Sequence, residues 1–124
     1  MNPPPVGQDP PNKLCCMHQF RAGEEIGWAA SYVHEGTTSL KNPAILNDWI
    51  KRLYEAAIYI QGANALCSER NLAWPGWYNM QDTLYRLAQQ GIENCAPLRE
   101  SPEMTCETFC MGAWVELSGM LAAY

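Results

Sequence analysis

The sequence predicts an all-α fold, a single-domain bundle of about four helices preceded by a disordered, proline-rich N-terminal arm. Three observations support this prediction. Apolar residues recur at helical spacing in four segments, and loops rich in glycine, proline or serine separate these segments. The alternation typical of a β-strand is absent, except that residues 13–20 are compatible with a short strand. The chain has 124 residues, 48% hydrophobic and 17% charged, which is typical of one globular domain with its own core.

The N-terminal part of the chain divides into an arm and a first helix. Five prolines among residues 1–12 predict an extended arm, so we place the domain at 13–124. Residues 13–20 fit either a short strand or an irregular lead-in. The first helix is expected from about Arg21 to Glu35, with Gly23 and Gly27 as weak positions, and residues 36–39 are expected to form a loop.

The clearest element is a long helix expected from Asn42 to Arg70. Asn42 is a favourable N-cap, and Pro43 fits the first helical position, where its missing N–H costs nothing. Gly62 makes a kink or break conceivable. The apolar positions of this segment follow helical spacing: Leu46, Trp49, Ile50, Leu53, Ala57, Ile60, Ala63 and Leu66.

Two further helices are expected in the C-terminal half. The third begins between Pro75 and Asn79 and ends near Gly91, which would act as a C-terminal glycine. The fourth begins at Ser101-Pro102-Glu103, again a capping residue followed by proline. Its buried stripe is predicted to be Cys106, Cys110, Ala113, Leu117 and Met120.

Charge and composition restrict the function. The formal charge is −5, from 8 basic and 13 acidic residues, and the basic residues are scattered, which disfavours nucleic-acid binding. No apolar run is long enough to span a membrane, and the N-terminus has no signal-peptide pattern. We therefore expect a cytoplasmic protein whose six cysteines are mostly reduced thiols. Residues 100–124 contain four glutamates and no lysine or arginine, which indicates either a surface for a basic partner or a solvated helix face.

The cysteines offer a candidate metal site. Thiolates from two pairs of cysteines, with one imidazole, have the chemistry of a zinc or copper site, although packing in the core explains the same residues without a metal. The sequence does not call for a cofactor. The candidate ligands are Cys15, Cys16, His18, Cys106 and Cys110.

An aromatic segment between the second and third helices is the best candidate binding surface. Trp74, Trp77 and Tyr78 surround a Pro-Gly turn and could anchor a partner, or could instead close the end of the bundle. Trp49, Tyr85 and Arg86 complete the predicted binding set. A second possibility is an aromatic pocket inside the bundle, with polar groups such as Arg86 or His34 and with these walls: Trp28, Trp49, Tyr54, Trp77, Tyr85 and Trp114.

The favoured function is the binding of a macromolecular partner by a small acidic protein, as inhibitors, immunity proteins and accessory factors do. A homodimer through an apolar helix face is a related possibility. The alternative is a small-molecule binding module with the aromatic pocket. An enzyme is disfavoured, because no nucleophile elbow, metalloprotease motif or phosphate-binding loop is present.

Overall fold

The computed structural model describes residues 11–67, 77–96 and 103–122. This part of the chain contains four α-helices, as the sequence predicts. They are α1 (Pro11–Tyr32), α2 (Pro43–Leu66), α3 (Trp77–Cys95) and α4 (Glu103–Ala122), and two 3₁₀ turns at His34–Gly36 and Ser39–Lys41 join α1 to α2.

The helices form a ring in which α1 packs on α2, α2 on α3, α3 on α4 and α4 on α1. Each pair is antiparallel. Glu25 and Tyr32 of α1, for example, reach Arg52 and Asp48 of α2. The arrangement is an up-down-up-down four-helix bundle with its apolar stripes turned inward.

The long helix α2 begins as predicted. Asn42 caps it, because its side-chain oxygen accepts a hydrogen bond from the Ala44 backbone N–H at 3.0 Å, and Pro43 is the first helical residue. The helix runs through Gly62 without a break and ends at Leu66, with Cys67 as its C-cap. Residues 68–70, the end of the predicted helix, lie outside the described part.

The first helix differs from the prediction, since α1 begins at Pro11 instead of Arg21 and includes the whole ambiguous stretch 13–20. The predicted arm covers residues 1–12, of which Pro11 and Asn12 belong to α1 and residues 1–10 lie outside the described part. The buried stripe of α1 passes through Cys15 and Gln19, so hydropathy alone does not reveal it.

The third helix extends past its predicted end to Cys95. Gly91 does not terminate it. Instead, Gly91 is buried inside the helix, and the ring of Trp49 occupies the space where a side chain would lie. The fourth helix begins at Glu103, and all five residues of its predicted stripe are buried.

Two disulfides fasten opposite ends of the bundle. Cys15–Cys67 joins the beginning of α1 to the end of α2, with Cα atoms 5.0 Å apart, and Cys95–Cys106 joins the end of α3 to the beginning of α4, with Cα atoms 4.8 Å apart. The expectation of mostly reduced thiols is therefore wrong for these four cysteines. Cys16 and Cys110 are free, the first exposed and the second buried.

Candidate functional site: the outer face of α4 and the cysteine cluster

The outer face of α4 is unusually apolar for a surface. Helices at a protein surface normally carry charged or polar residues on the side that faces water. Along the described residues 108–122 the one charged residue is Glu116, whose part-exposed carboxylate pairs with Arg86 at the edge of the face, and Met111 and Val115 are 53% and 63% exposed. The exposed residues on this face, which we call the α4 face, are Thr108, Met111, Gly112, Val115, Gly119 and Ala122.

The spacing of the α4 face matches the way helices pack on one another. Five of its positions, 108, 112, 115, 119 and 122, alternate intervals of four and three residues, which is the spacing of a helix–helix seam. A Cβ atom added to Gly112 or Gly119 would meet nothing within 4 Å, so the surface is open there. Small residues at these positions let a second helix backbone come close.

The edges of the α4 face are ordered by contacts with neighbouring elements. On the α3 side, Nη2 of Arg86 lies 2.8 and 2.9 Å from the two carboxylate oxygens of Glu116. On the α1 side, the Met111 side chain lies over Gly36, and the Trp114 ring packs edge-on against His34 at 5.4 Å between ring centroids. These contacts flank the α4 face on both of its long sides.

An apolar depression adjoins the α1–α4 seam near the end of α4. It is lined by Phe20, Gly23, Glu24 and Leu121, and Phe20 is 59% exposed. This depression adds exposed apolar surface beside the C-terminal end of α4.

The structure places the predicted binding residues in different environments. Trp49 is fully buried, donates a hydrogen bond from Nε1 to the Ala29 carbonyl at 3.1 Å, and packs edge-on against Phe109. Trp49 is thus a core residue. Trp74 lies outside the described residues, as do the side chains of Trp77 and Tyr78, so the aromatic segment stays a prediction.

Tyr85 and Arg86 do lie at the surface, but on either side of α3. Tyr85 pairs with Tyr54 of α2, with ring centroids 5.7 Å apart, whereas Arg86 faces α4 through Glu116. Trp28 is also exposed, on the far side of α2 from Tyr54. Because these aromatic rings point to separate surfaces and Trp49 points into the core, they do not line one common pocket.

The predicted metal ligands are not brought together. Cys15 is bonded to Cys67, and Cys106 is bonded to Cys95. Cys16 is exposed, and Nδ1 of His18 lies 2.8 Å from the Leu14 carbonyl oxygen. A tetrahedral site built from both predicted pairs is therefore not formed.

A different sulfur cluster lies at the junction of α3 and α4. The sulfur atoms of Cys95, Cys106 and Cys110 all lie within 4.8 Å of one another, and all three residues are buried. Cys110 Sγ is 3.9 Å from Cys106 Sγ on the next turn of the same helix. Burial raises the pKa of the Cys110 thiol to about 11, so this thiol is protonated at neutral pH.

A polar network on the α1–α2 seam centres on Arg52. Its guanidinium group lies 3.3 Å from Glu25 and 3.5 Å from Asp48, and it covers the Trp28 ring at 5.3 Å from the ring centroid. The hydroxyl of Tyr32 donates to Asp48, and this bond, together with Arg52, lowers the pKa of Asp48. Burial raises the pKa of Glu25 despite the nearby arginine. These groups satisfy one another, which is typical of a structural network.

Two cysteines without an expected role in the sequence, Cys67 and Cys95, each form half of a disulfide. A signal for one pair was present, because Cys95 and Cys106 are 11 residues apart across a short connection between consecutive helices. Antiparallel helices joined in this way bring such residues together. The Cys15–Cys67 pair is 52 residues apart, and predicting it would have required knowledge of the register of α1 against α2.

No protein-family model, curated protein sequence or solved structure matches this chain.

Proposed function

We propose that this chain is a protein-binding helical module that docks an α-helix of a partner protein on the α4 face. The observation that supports this proposal is the scarcity of charge on the exposed side of α4, since Glu116, paired with Arg86 at the edge, is the one charged residue along 108–122. An apolar helix face of this length is unfavourable in water and is typical of a surface that another protein covers.

The geometry of the face supports a helix as the docking element. The alternating spacing of four and three residues gives a straight seam, and Gly112 and Gly119 leave room for close approach. Val115 lies between the two glycines and would be the central apolar contact.

The charge of the module favours a basic partner. Helix α4 contains Glu103, Glu107 and Glu116 but no lysine or arginine, and the whole chain carries a formal charge of −5. We therefore propose a partner helix with an apolar stripe flanked by lysine or arginine, which acidic residues around the face would steer into place. The like charge of two copies of this chain disfavours their association.

The two disulfides are relevant to the cellular compartment in which the module functions. Disulfides persist mainly in oxidising compartments. We therefore propose an oxidising compartment in place of the cytoplasm expected from the sequence. In the described part of the chain, no helix is both long and apolar enough to cross a membrane.

A pair of matched variants tests the proposal. Val115→Glu places a charge on the α4 face, whereas Ile58→Glu places one on the outer side of α2, at nearly the same exposure (63% and 61%). The probe is a synthetic amphipathic helix with a leucine stripe and flanking lysines, and binding is followed by fluorescence anisotropy. Burying a valine contributes about 1.5–3 kcal/mol, so Val115→Glu should weaken binding about tenfold or more.

The control and the alternatives are measured in the same experiment. Ile58→Glu should bind the peptide as the unmodified protein does, and a peptide with glutamates in place of the lysines should bind more weakly. Equal affinity of both variants would contradict the proposal. Sedimentation showing a dimer that Val115→Glu dissociates would assign the face to a second copy instead.

A further inference from the structure

We propose that reduction of the Cys95–Cys106 disulfide creates a three-thiolate site, completed by Cys110, that binds one Cu(I) ion. This site is distinct from the α4 face and does not depend on the docking function. It also differs from the metal site expected from the sequence, because it includes Cys95 and excludes Cys15, Cys16 and His18.

The spacing of the sulfur atoms fits a shared metal ion. Three thiolates that each lie about 2.3 Å from a central metal in a trigonal plane are about 4.0 Å from one another. Cys106 and Cys110 already lie 3.9 Å apart, and all three sulfurs lie within 4.8 Å. Once their bond is broken, the sulfur atoms of Cys95 and Cys106 must move apart to about 4.0 Å, and Cys95 must stay within reach of Cys110, from which it lies no more than 4.8 Å.

The backbone holds the three residues in place. Cys106 and Cys110 occupy successive turns on the buried stripe of α4, and Cys95 is the last residue of α3. Cys106 lies in the first turn of α4, where the positive end of the helix dipole stabilises a thiolate. Two ligands on one rigid helix and a third on its neighbour make a preformed cluster.

The donor set selects the metal. The cluster offers three soft sulfur ligands, and no histidine, aspartate or glutamate of the described residues joins it. Zinc prefers four ligands in a closed site, whereas thiolates favour soft ions such as Cu(I), which accepts three. We therefore assign the site to Cu(I) over Zn²⁺.

The chemistry balances with a dithiol as the reductant. The dithiol gives two electrons and two protons to the Cys95–Cys106 bond and becomes a disulfide itself. The protein then has three thiols in the cluster, and each releases its proton as its sulfur binds the metal, so three protons leave per ion. In the oxidised protein only Cys110 of these three cysteines remains a thiol, so the disulfide closes the site.

The test uses the full chain and Cu(I) itself. The protein is reduced with a phosphine, desalted without oxygen and titrated with Cu(I) against bicinchoninate, while the thiolate-to-copper absorption is recorded. Because the phosphine opens both disulfides, the ion is counted in the Cys15→Ser/Cys67→Ser variant, in which Cys95–Cys106 is the remaining disulfide; we expect one tightly bound ion per chain in its reduced form and none in its oxidised form. Circular dichroism checks that the reduced chain keeps its helices.

Two sets of variants localise the ion. Cys110→Ala and Cys110→Ser should both lose the tightly bound ion, while Cys16→Ser, which removes the exposed free thiol, should keep it. The double variant Cys15→Ser/Cys67→Ser should also keep it, which separates the cluster from the other disulfide. Equal Cu(I) binding by the Cys16 and Cys110 variants would overturn the proposal. The proposal would also be overturned if the reduced chain, whether folded or unfolded, bound no Cu(I). It would likewise be overturned if the reduced chain bound Zn²⁺ more tightly than Cu(I).

Discussion

Removal of the Cys15–Cys67 disulfide is expected to be the most destabilising of the simple cysteine changes. The perturbation is the double variant Cys15→Ala/Cys67→Ala, which deletes the bond and leaves no unpaired partner. Both residues are buried, so alanine avoids placing a new polar group at the end of the bundle.

The magnitude follows from the length of chain that the bond closes. A disulfide lowers the entropy of the unfolded chain, and the effect grows with the logarithm of the loop length. The separation of 52 residues corresponds to about 4 kcal/mol, whereas the 11 residues between Cys95 and Cys106 correspond to about 3 kcal/mol. Since small domains have a free energy of unfolding of about 5–15 kcal/mol, either loss is a large share of the total.

The assay is urea unfolding at pH 7, followed by circular dichroism at the helix band. The double variant should lose about 4 kcal/mol, and its unfolding should depend more steeply on urea, because its unfolded chain exposes more surface. The matched control is Cys16→Ala, an exposed free thiol, which should change stability by less than about 0.5 kcal/mol. A loss smaller than that of Cys95→Ala/Cys106→Ala would refute the reasoning from loop length.

Two further predictions concern the core and the polar network. Gly91→Ala should lower stability by about 1–3 kcal/mol in urea unfolding, because the new Cβ would lie 2.5 Å from Cζ3 of Trp49 in a packed core. Gly112→Ala, at an open helical position, should instead raise stability by about 0.5–1 kcal/mol, and a loss there would contradict this account. Asp48→Asn should destabilise the protein at pH 7, because Tyr32 and a neighbouring arginine lower the pKa of Asp48 below its ordinary 3.8 and so favour its carboxylate in the folded state. That stabilisation is present above pH 3.8 and is lost as the pH falls through the lowered pKa. If Asp48→Asn were still less stable than the unmodified protein at a pH below that pKa, the role given to the Asp48 carboxylate would be contradicted.

The fold was predictable in segments where the buried residues are also the apolar ones. The N-cap and first proline of α2 mark its start without ambiguity, and the stripe of α4 follows apolar residues throughout. The start of α1 was not predictable, because its buried face includes Gln19 and Cys15, and the hydropathy of these residues does not indicate that they are buried. The end of α3 was misplaced because Gly91 looks like a helix terminator in sequence, while in three dimensions it makes room for Trp49.

Locating the α4 face and the cysteine cluster required the three-dimensional packing of the helices, which the sequence alone does not give. Apolar residues lie on more than one side of α4, so the sequence does not reveal which side its neighbours leave uncovered, and the face around Val115 required the packing of α4 against α1 and α3. The cysteine cluster likewise required the register that brings Cys95 next to Cys106. The clustering of Cys106 with Cys110 alone was visible, as a spacing of four on one helix.

The most direct test of the docking proposal is a residue-by-residue map of the bound surface. Amide resonances of isotope-labelled protein are followed by nuclear magnetic resonance during titration with the lysine-flanked helical peptide. We predict that shifts concentrate on residues 108–122 and the adjoining part of α1 around Phe20, and that the outer side of α2 around Ile58 is unaffected. Shifts centred on α2, or spread evenly over the bundle, would contradict the account.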